Sequence, residues 1–531
     1  MKTIENTTSH TTLSTDEMTQ TLEATIAKQA LEIEALQAKV NHYEELFRIN
    51  QHQKFGTSSE RAHPDQLSFF NEAEKESAKK SEEPDTEMIL KDRKSGRSKS
   101  RKTYDDLPVE EVYYTLSEEQ TTCPKCEESL HEMKTEVRRE LKIIPAQVKV
   151  VHHIRQVYAC RKCDKEGTEG TIVTAPMPNS LMPGSMVSPS LLAFIMERKY
   201  NQHLPLYRQE KAFENFGIDI SRQNMATWMM HGANTWLRPL YERMHALLKN
   251  ELVIHADESP LKVIDEKNKA KGYMWLYASA KSAAHPMYLY EYQPSRSQKN
   301  PKKFLEGFSG YLQTDGYSGY NAVENVTQVG CLAHARRKFN DALKALPENA
   351  EVSRTRSNEG LNFCNRIYHY EKQYVDLTPD ERFERRRQEV QSVLDAFKSW
   401  LEEQKRTTLP KSKLGEAVKY CINQWDKLIN FMLDGHIAVD NNLAERAIKP
   451  FVIGRKNYLF SKSPQGAQAS AISYSIIETA KASNLNPFLY LTYLFEQLPN
   501  IDIENDTALD ALLPWSESIP DEIHKTADKQ D

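Results

Sequence analysis

The sequence predicts a multidomain α/β protein whose largest piece is a sheet-and-helix domain over 251–465. Three observations carry that expectation. From residue 251 strand-like and helix-like segments follow in a fixed order. A long helical stretch, about 346–435, interrupts them. The segments ahead of 251 differ from one another in composition and periodicity, as separate modules do. The chain has 531 residues, enough for several domains. It carries no run of about 18 apolar residues, so no membrane span is expected. The start, MKTIENTTSH, lacks a signal-peptide core, which makes the cytoplasm the expected location. The net charge of −5 does not by itself mark a nucleic-acid binder; local clusters decide phosphate contact.

The first element spans 16–52. Leu22, Ile26, Ile33, Leu36, Val40, Tyr43 and Phe47 recur in steps of three and four, with Gln29 as the interruption. Such a seam predicts a self-associating coiled coil; a single amphipathic helix packed on its own chain has the same pattern. Residues 57–106 are rich in Ser, Glu, Lys and Asp and predict a disordered linker. Its end, KDRKSGRSKSRK (91–102), carries seven positive charges against one negative and reads as a phosphate-touching arm or a solvated linker.

Residues 107–180 hold two C-x-x-C pairs, Cys123 with Cys126 and Cys160 with Cys163, separated by 33 residues of alternating, strand-like sequence. Four thiolates in two pairs fit a closed tetrahedral zinc site. An odd total of seven cysteines without a secretion signal speaks against a disulfide framework. Residues 186–246 predict helices with a turn at Phe216–Gly217 and a second helix capped by Ser221, a helix-turn-helix-like pattern that two packed helices without a DNA role also show.

The domain at 251–465 reads strand (with Asp257), strand (272–280), strand (286–294), short helix, strand ending at Asp315, then strand and helix over 326–339. That order matches a ribonuclease H-like fold. There the first and fourth strands are neighbours, so Asp257 and Asp315 would lie side by side. Such a pair is costly without a cation, and hard oxygen ligands favour magnesium or manganese. Glu445, in DNNLAERAIKP (440–450), is the expected third acid. Around it stand Arg446, Lys449, Arg455 and Lys456, and His334, Arg336, Arg337 and Lys338 form a second basic cluster; both are expected to hold a nucleic-acid backbone. Asp315 and Glu445 are 130 positions apart, which predicts that the helical insertion lies over the cleft. A C-terminal helical region (466–515) and a disordered tail (516–531) complete the expected order.

Several stretches resemble the transposases of the insertion sequence 66 family, the TnpC type. They are KFGTSSER (54–61), the paired C-x-x-C module, IPAQVKVVHHIRQVYAC (144–160) and KYNQHLPLYRQE (199–210). They continue with HADESPLKV (255–263), LQTDGYSGYNAV (312–323), GCLAHARRKF (330–339) and DNNLAERAIKPFVIGRKNYLFS (440–461). The resemblance covers nearly the whole chain. It implies a catalytic triad of Asp257, Asp315 and Glu445 on a ribonuclease H-like domain, magnesium dependence and binding to terminal inverted repeats. It also implies action alongside small accessory proteins of the same element. A nuclease or resolvase that cuts without joining, and a zinc-dependent DNA-binding regulator, are the alternatives that the residues leave open.

Overall fold

The computed structural model describes residues 25–26, 28–29, 33, 40, 147–159, 172–264, 271–346 and 351–525. The chain divides into two compact units, one of 1–56 with 155–525 and one of 57–154 with 526–531. In the second, the described residues 147–154 carry no helix or strand. In the first, the few described residues before 56 are all helical. The linker at 57–106 and most of the expected cysteine module lie outside the described residues. What is described of that module is a short antiparallel pair, β1 (Val157–Ala159) with β2 (Ile172–Thr174).

Among the described residues from 172 onward, four α-helices precede the main sheet: α1 (Pro189–Tyr200), α2 (Leu206–Asn215), α3 (Arg222–His231) and α4 (Arg238–Leu248). Their boundaries follow from local chemistry. Ser188 and Ser221 cap α1 and α3, each accepting a backbone N–H three residues on at 3.2 Å. Gly217, at φ 73°, makes the left-handed turn between α2 and α3 that a side chain would resist. Gly232 serves a different need. A Cβ there would stand 2.6 Å from Leu192 Cδ2 and 3.3 Å from Phe495 Cε1, so the glycine lets three segments pack closely.

The main sheet has five strands: β3 (Val253–Leu261), β4 (Gly272–Ser279), β5 (Tyr288–Gln293), β6 (Gly310–Gln313) and β7 (Val326–Val329). Their spatial order is β5-β4-β3-β6-β7. The β3–β4 and β4–β5 pairs are antiparallel, and β3–β6 and β6–β7 are parallel. The central strand β3 is buried through Val253–Ala256, as a strand covered on both faces must be. Its parallel partner leaves early: the last rung joins His255 to Gln313, while β4 stays paired as far as Leu261. Pro260 is tolerated in β3 because it falls in this half-paired stretch.

A short helix α5 (Lys299–Phe304) links β5 to β6, and β7 runs into α6 (Leu332–Lys344). The insertion follows as α7 (Arg356–Gln373), α8 (Pro379–Arg385), α9 (Gln391–Thr407) and α10 (Lys413–Leu428). Its apolar faces bury Cys364, Ile367, Phe397, Leu401, Val418 and Cys421 against α6 in a core of their own. The chain then returns to the sheet in α11 (Asn442–Tyr458) and ends in α12 (Pro464–Ala482), α13 (Pro487–Gln497) and α14 (Asp506–Asp510). These last helices share one large core with α1, α3, α4 and the strands β3–β5.

One expectation is corrected. The composition predicts a disordered tail over 516–531, but residues 516–525 fold back onto the helices. Ile519 and Ile523 are buried, and Leu485 pairs with His524. The acidic composition of this stretch hides two apolar anchors, each with a buried place to go.

Candidate active site

The register of β3 against β6 builds the site. His255 and Gln313 form the last parallel rung, and Asp257 and Asp315 each stand two residues beyond it. Both therefore come to the same end of two neighbouring strands, at the carboxyl edge where open α/β sheets present ligand crevices. Asp315 is fixed by its own turn: its Oδ1 accepts the Tyr317 N–H at 2.9 Å. Tyr420 of the insertion donates its hydroxyl to the Asp315 carbonyl at 3.2 Å, so the insertion reaches the site. Asp257 Oδ1 accepts the Glu258 N–H at 2.8 Å.

Glu445 enters from the first turn of α11. That helix is pinned along β3 at both ends. At its start the fully buried Asn441 accepts from His255 Nδ1 at 2.9 Å and donates to the Ala256 carbonyl at 2.9 Å. Its backbone N–H meets Cys331 Sγ at 3.2 Å. Further along, Arg455 donates to Ser259 Oγ at 3.2 Å and to the Pro260 carbonyl. The half-paired stretch of β3 thus has α11 where a strand would otherwise lie.

The electrostatics follow from this crowding. Burial, then the carboxylates of Glu258, Asp315 and Glu445, push the Asp257 carboxyl up to about 7, against the opposing Glu258 N–H. Burial also raises Glu258, although Tyr320 donates to it at 2.5 Å and Arg296 at 2.7 Å. The Glu258 side chain is only 1% exposed. The Arg296 guanidinium lies 3.8 Å over the Tyr317 ring, which ties β3 to the turn that holds Asp315.

The eight basic residues expected to line the site separate into groups. Arg337 donates to Glu445 Oε2 at 3.4 Å, and His334 Nδ1 lies 3.8 Å from Glu445 Oε1. Arg446, Lys449 and Lys456 are exposed on α11. Arg455 instead braces β3. Arg336 is engaged with Asn365 at 2.8 Å, and Lys338 lies 5.2 Å from the Tyr420 ring centroid. Four contributors escaped the sequence reading: Glu258, Cys331, His255 and Asn441. Asn441 could have been suspected from the doubled asparagine at a helix start, but its side chain is turned away from capping toward β3.

Glu445 Oε1 is a buried atom with no hydrogen-bond partner, and Asp257 is destabilised as an anion, both of which a divalent cation would relieve. Among the described residues the ligand atoms gathered within 4.8 Å of one another are those of Cys331, His334 and Glu445; Asp257 and Asp315 are not in that group.

Comparison with known proteins identifies the family. A family model described as "Transposase IS66 family" matches residues 184–469. A model for the zinc-finger binding domain of transposase IS66 matches 120–164, a span that contains Cys123, Cys126, Cys160 and Cys163. An IS66 C-terminal element matches 475–515, and a model described as "Transposase C of IS166 homeodomain" matches 42–112. Among relatives, the uncharacterized protein y4jD of Sinorhizobium fredii is 31% identical over 79% of this chain and 83% of its own length. The uncharacterized protein y4hP of the same organism is 28% identical over 77% and 75%. These matches define a transposase, a DNA-binding enzyme of the nuclease type. The chain belongs to the IS66 transposase family. The zinc-finger match supports structural zinc; the four cysteines within its span lie outside the described residues. No helix among the described residues is long and apolar enough to cross a membrane.

Proposed function

We propose that the protein binds the terminal inverted repeats of its insertion sequence, cleaves DNA there and joins the freed 3′-hydroxyl to target DNA. Asp257, Asp315 and Glu445 act as its DDE triad on a ribonuclease H-like domain. The observation that carries this reading is the matched position of Asp257 and Asp315 two residues past the His255–Gln313 rung, with Glu445 on α11 near enough for its charge to raise the Asp257 carboxyl. The strand order β5-β4-β3-β6-β7, with its two antiparallel and two parallel pairs, supports the fold assignment.

The three carboxylates would hold magnesium or manganese. When bound, the metal supplies activation of a water or 3′-hydroxyl and neutralises charge on the leaving oxygen. The protein's own groups do the rest. Asn441 and Arg455 keep α11 at its place on β3, so Glu445 stays in reach of Asp257. Arg337 offers a guanidinium beside Glu445 for a phosphate oxygen. Arg446, Lys449 and Lys456 present exposed charge along α11 for the flanking backbone.

Strand transfer in vitro tests the proposal. Purified protein, labelled DNA with the element's own ends, a plasmid target and magnesium are expected to yield joined product, and the Glu445→Gln variant none. Nicking without joining would favour a nuclease or resolvase. Firm end binding without cleavage would favour a zinc-dependent regulator.

Pairing two DNA ends needs more than one subunit, and the N-terminal seam supports self-association. Ile26, Ile33 and Val40 are helical, seven residues apart, and 60%, 60% and 55% exposed in the single chain. Ile26→Asp combined with Ile33→Asp is expected to shift the sedimentation profile to a smaller species; an unchanged profile would refute the coiled coil.

A further inference from the structure

Cys331 and His334 stand three residues apart at the start of α6, so they share one face of its first turn. Glu445 comes from the first turn of α11. One candidate ligand atom from each lies within 4.8 Å of the others. His334 Nδ1 and Glu445 Oε1 face each other at 3.8 Å, and both are buried atoms with no hydrogen-bond partner. Two orphaned polar atoms in one place are costly unless something lies between them. Arg337 meets the opposite edges of the same two groups, at 3.4 Å from His334 Nε2 and 3.4 Å from Glu445 Oε2. It leaves Oε1 open, and His334 offers a lone pair at Nδ1 in the tautomer that carries its proton on Nε2, in which Arg337 keeps only its bond to Glu445 Oε2.

We propose that Cys331, His334 and Glu445 form a thiolate–imidazole–carboxylate site for a zinc-class divalent cation. This site is separate from the four-cysteine module and shares Glu445 with the triad. Sulfur, imidazole nitrogen and one carboxylate oxygen rank zinc and cobalt above magnesium and manganese. The Asn441 N–H on Cys331 Sγ is the kind of outer donor that stabilises a metal-bound thiolate. On binding, the Cys331 thiol gives its proton to solvent and its sulfur takes up the ion. Three protein ligands leave one position open, as in reactive rather than closed zinc sites. The consequence for the enzyme rests on the triad reading: an ion held here occupies Glu445 and withdraws it from the hard-cation site, so zinc switches cleavage off.

The test uses the full-length protein with its cysteine module loaded, dialysed against free zinc in the micromolar range. Wild type is expected to hold about one more zinc per chain than Cys331→Ser or His334→Gln. Cobalt is expected to give a thiolate-to-cobalt charge-transfer band stronger in wild type than in either variant. Thermal melting identifies a variant that does not fold; the other then carries the comparison. Equal ion counts and equal bands in wild type and a folded variant overturn the site. In parallel, zinc is expected to lower magnesium-supported cleavage by about tenfold or more in wild type. Cleavage that zinc leaves unchanged overturns the switch. An extra ion with no cleavage under any condition leaves the site standing and removes the transposase reading instead.

Discussion

The Asp257→Asn variant is expected to melt at a higher temperature than wild type at pH 8 while losing cleavage by on the order of 10³-fold or more. Folded Asp257 keeps its proton up to about pH 7, whereas its ordinary value is 3.8. Between those values the folded state binds more protons than the unfolded state. Stability therefore falls as pH rises through this window, and the loss is complete above it. Asparagine keeps the acceptor for the Glu258 N–H and carries no charge to bury. The gain is expected to be on the order of 2–4 kcal/mol at pH 8 without metal, and to shrink toward pH 5. Saturating magnesium should narrow the difference by favouring the ionised wild type. Melting curves at the two pH values check each part. A variant that melts lower than wild type at pH 8 would show that the carboxylate stabilises the fold rather than straining it.

The second large effect is at Arg386, which is fully buried. Its guanidinium makes two bonds of 2.7 Å to Glu371. It also donates to the carbonyls of Phe431 at 2.6 Å, Asp434 at 3.0 Å and Ile437 at 2.9 Å. Removing it leaves a mostly buried carboxylate and three carbonyls without their donor. Arg386→Ala is expected to cost about 3–5 kcal/mol in urea unfolding. Arg386→Lys should recover only part, because an ammonium cannot reproduce the fork. The segment after Ile437 carries Ala438, whose carbonyl accepts from Gln313 at 2.7 Å, and then Asn441. Loosening this clamp should therefore also reduce cleavage, although Arg386 is not bonded to Asp257, Asp315 or Glu445.

Much of this was legible in the sequence, for physical reasons. A strand buried on both faces must be apolar, so β3 showed itself up to the point where Asp257 breaks the run. Ser221 announced a cap and Gly217 a turn, and both are present. The pairing of Asp257 with Asp315 could be expected from strand order alone, because register carries side chains with it. What stayed hidden depends on partners far away in the chain. Glu258 reads as one more polar residue next to Asp257, and only Arg296 and Tyr320 make it a buried anchor. Asn441 reads as a helix cap until His255 and Ala256 claim its side chain. Cys331 reads as a spare cysteine until α11 brings Glu445 beside it. Pro450 should interrupt a helix, yet α11 continues through it.

The interleaving of α1 with α13 also sets a timetable. Leu192 and Phe495 meet across Gly232, though three hundred positions of chain lie between them. On the ribosome, the early helices wait with an apolar face uncovered until residues near 500 have emerged. A chain that stops short, by frameshift or breakage, is left with that face open to proteases and chaperones. It does not become a smaller working enzyme. Completion of synthesis thus acts as a licence for the proposed cleavage, since the last helices to be made help to seal the sheet that holds Asp257.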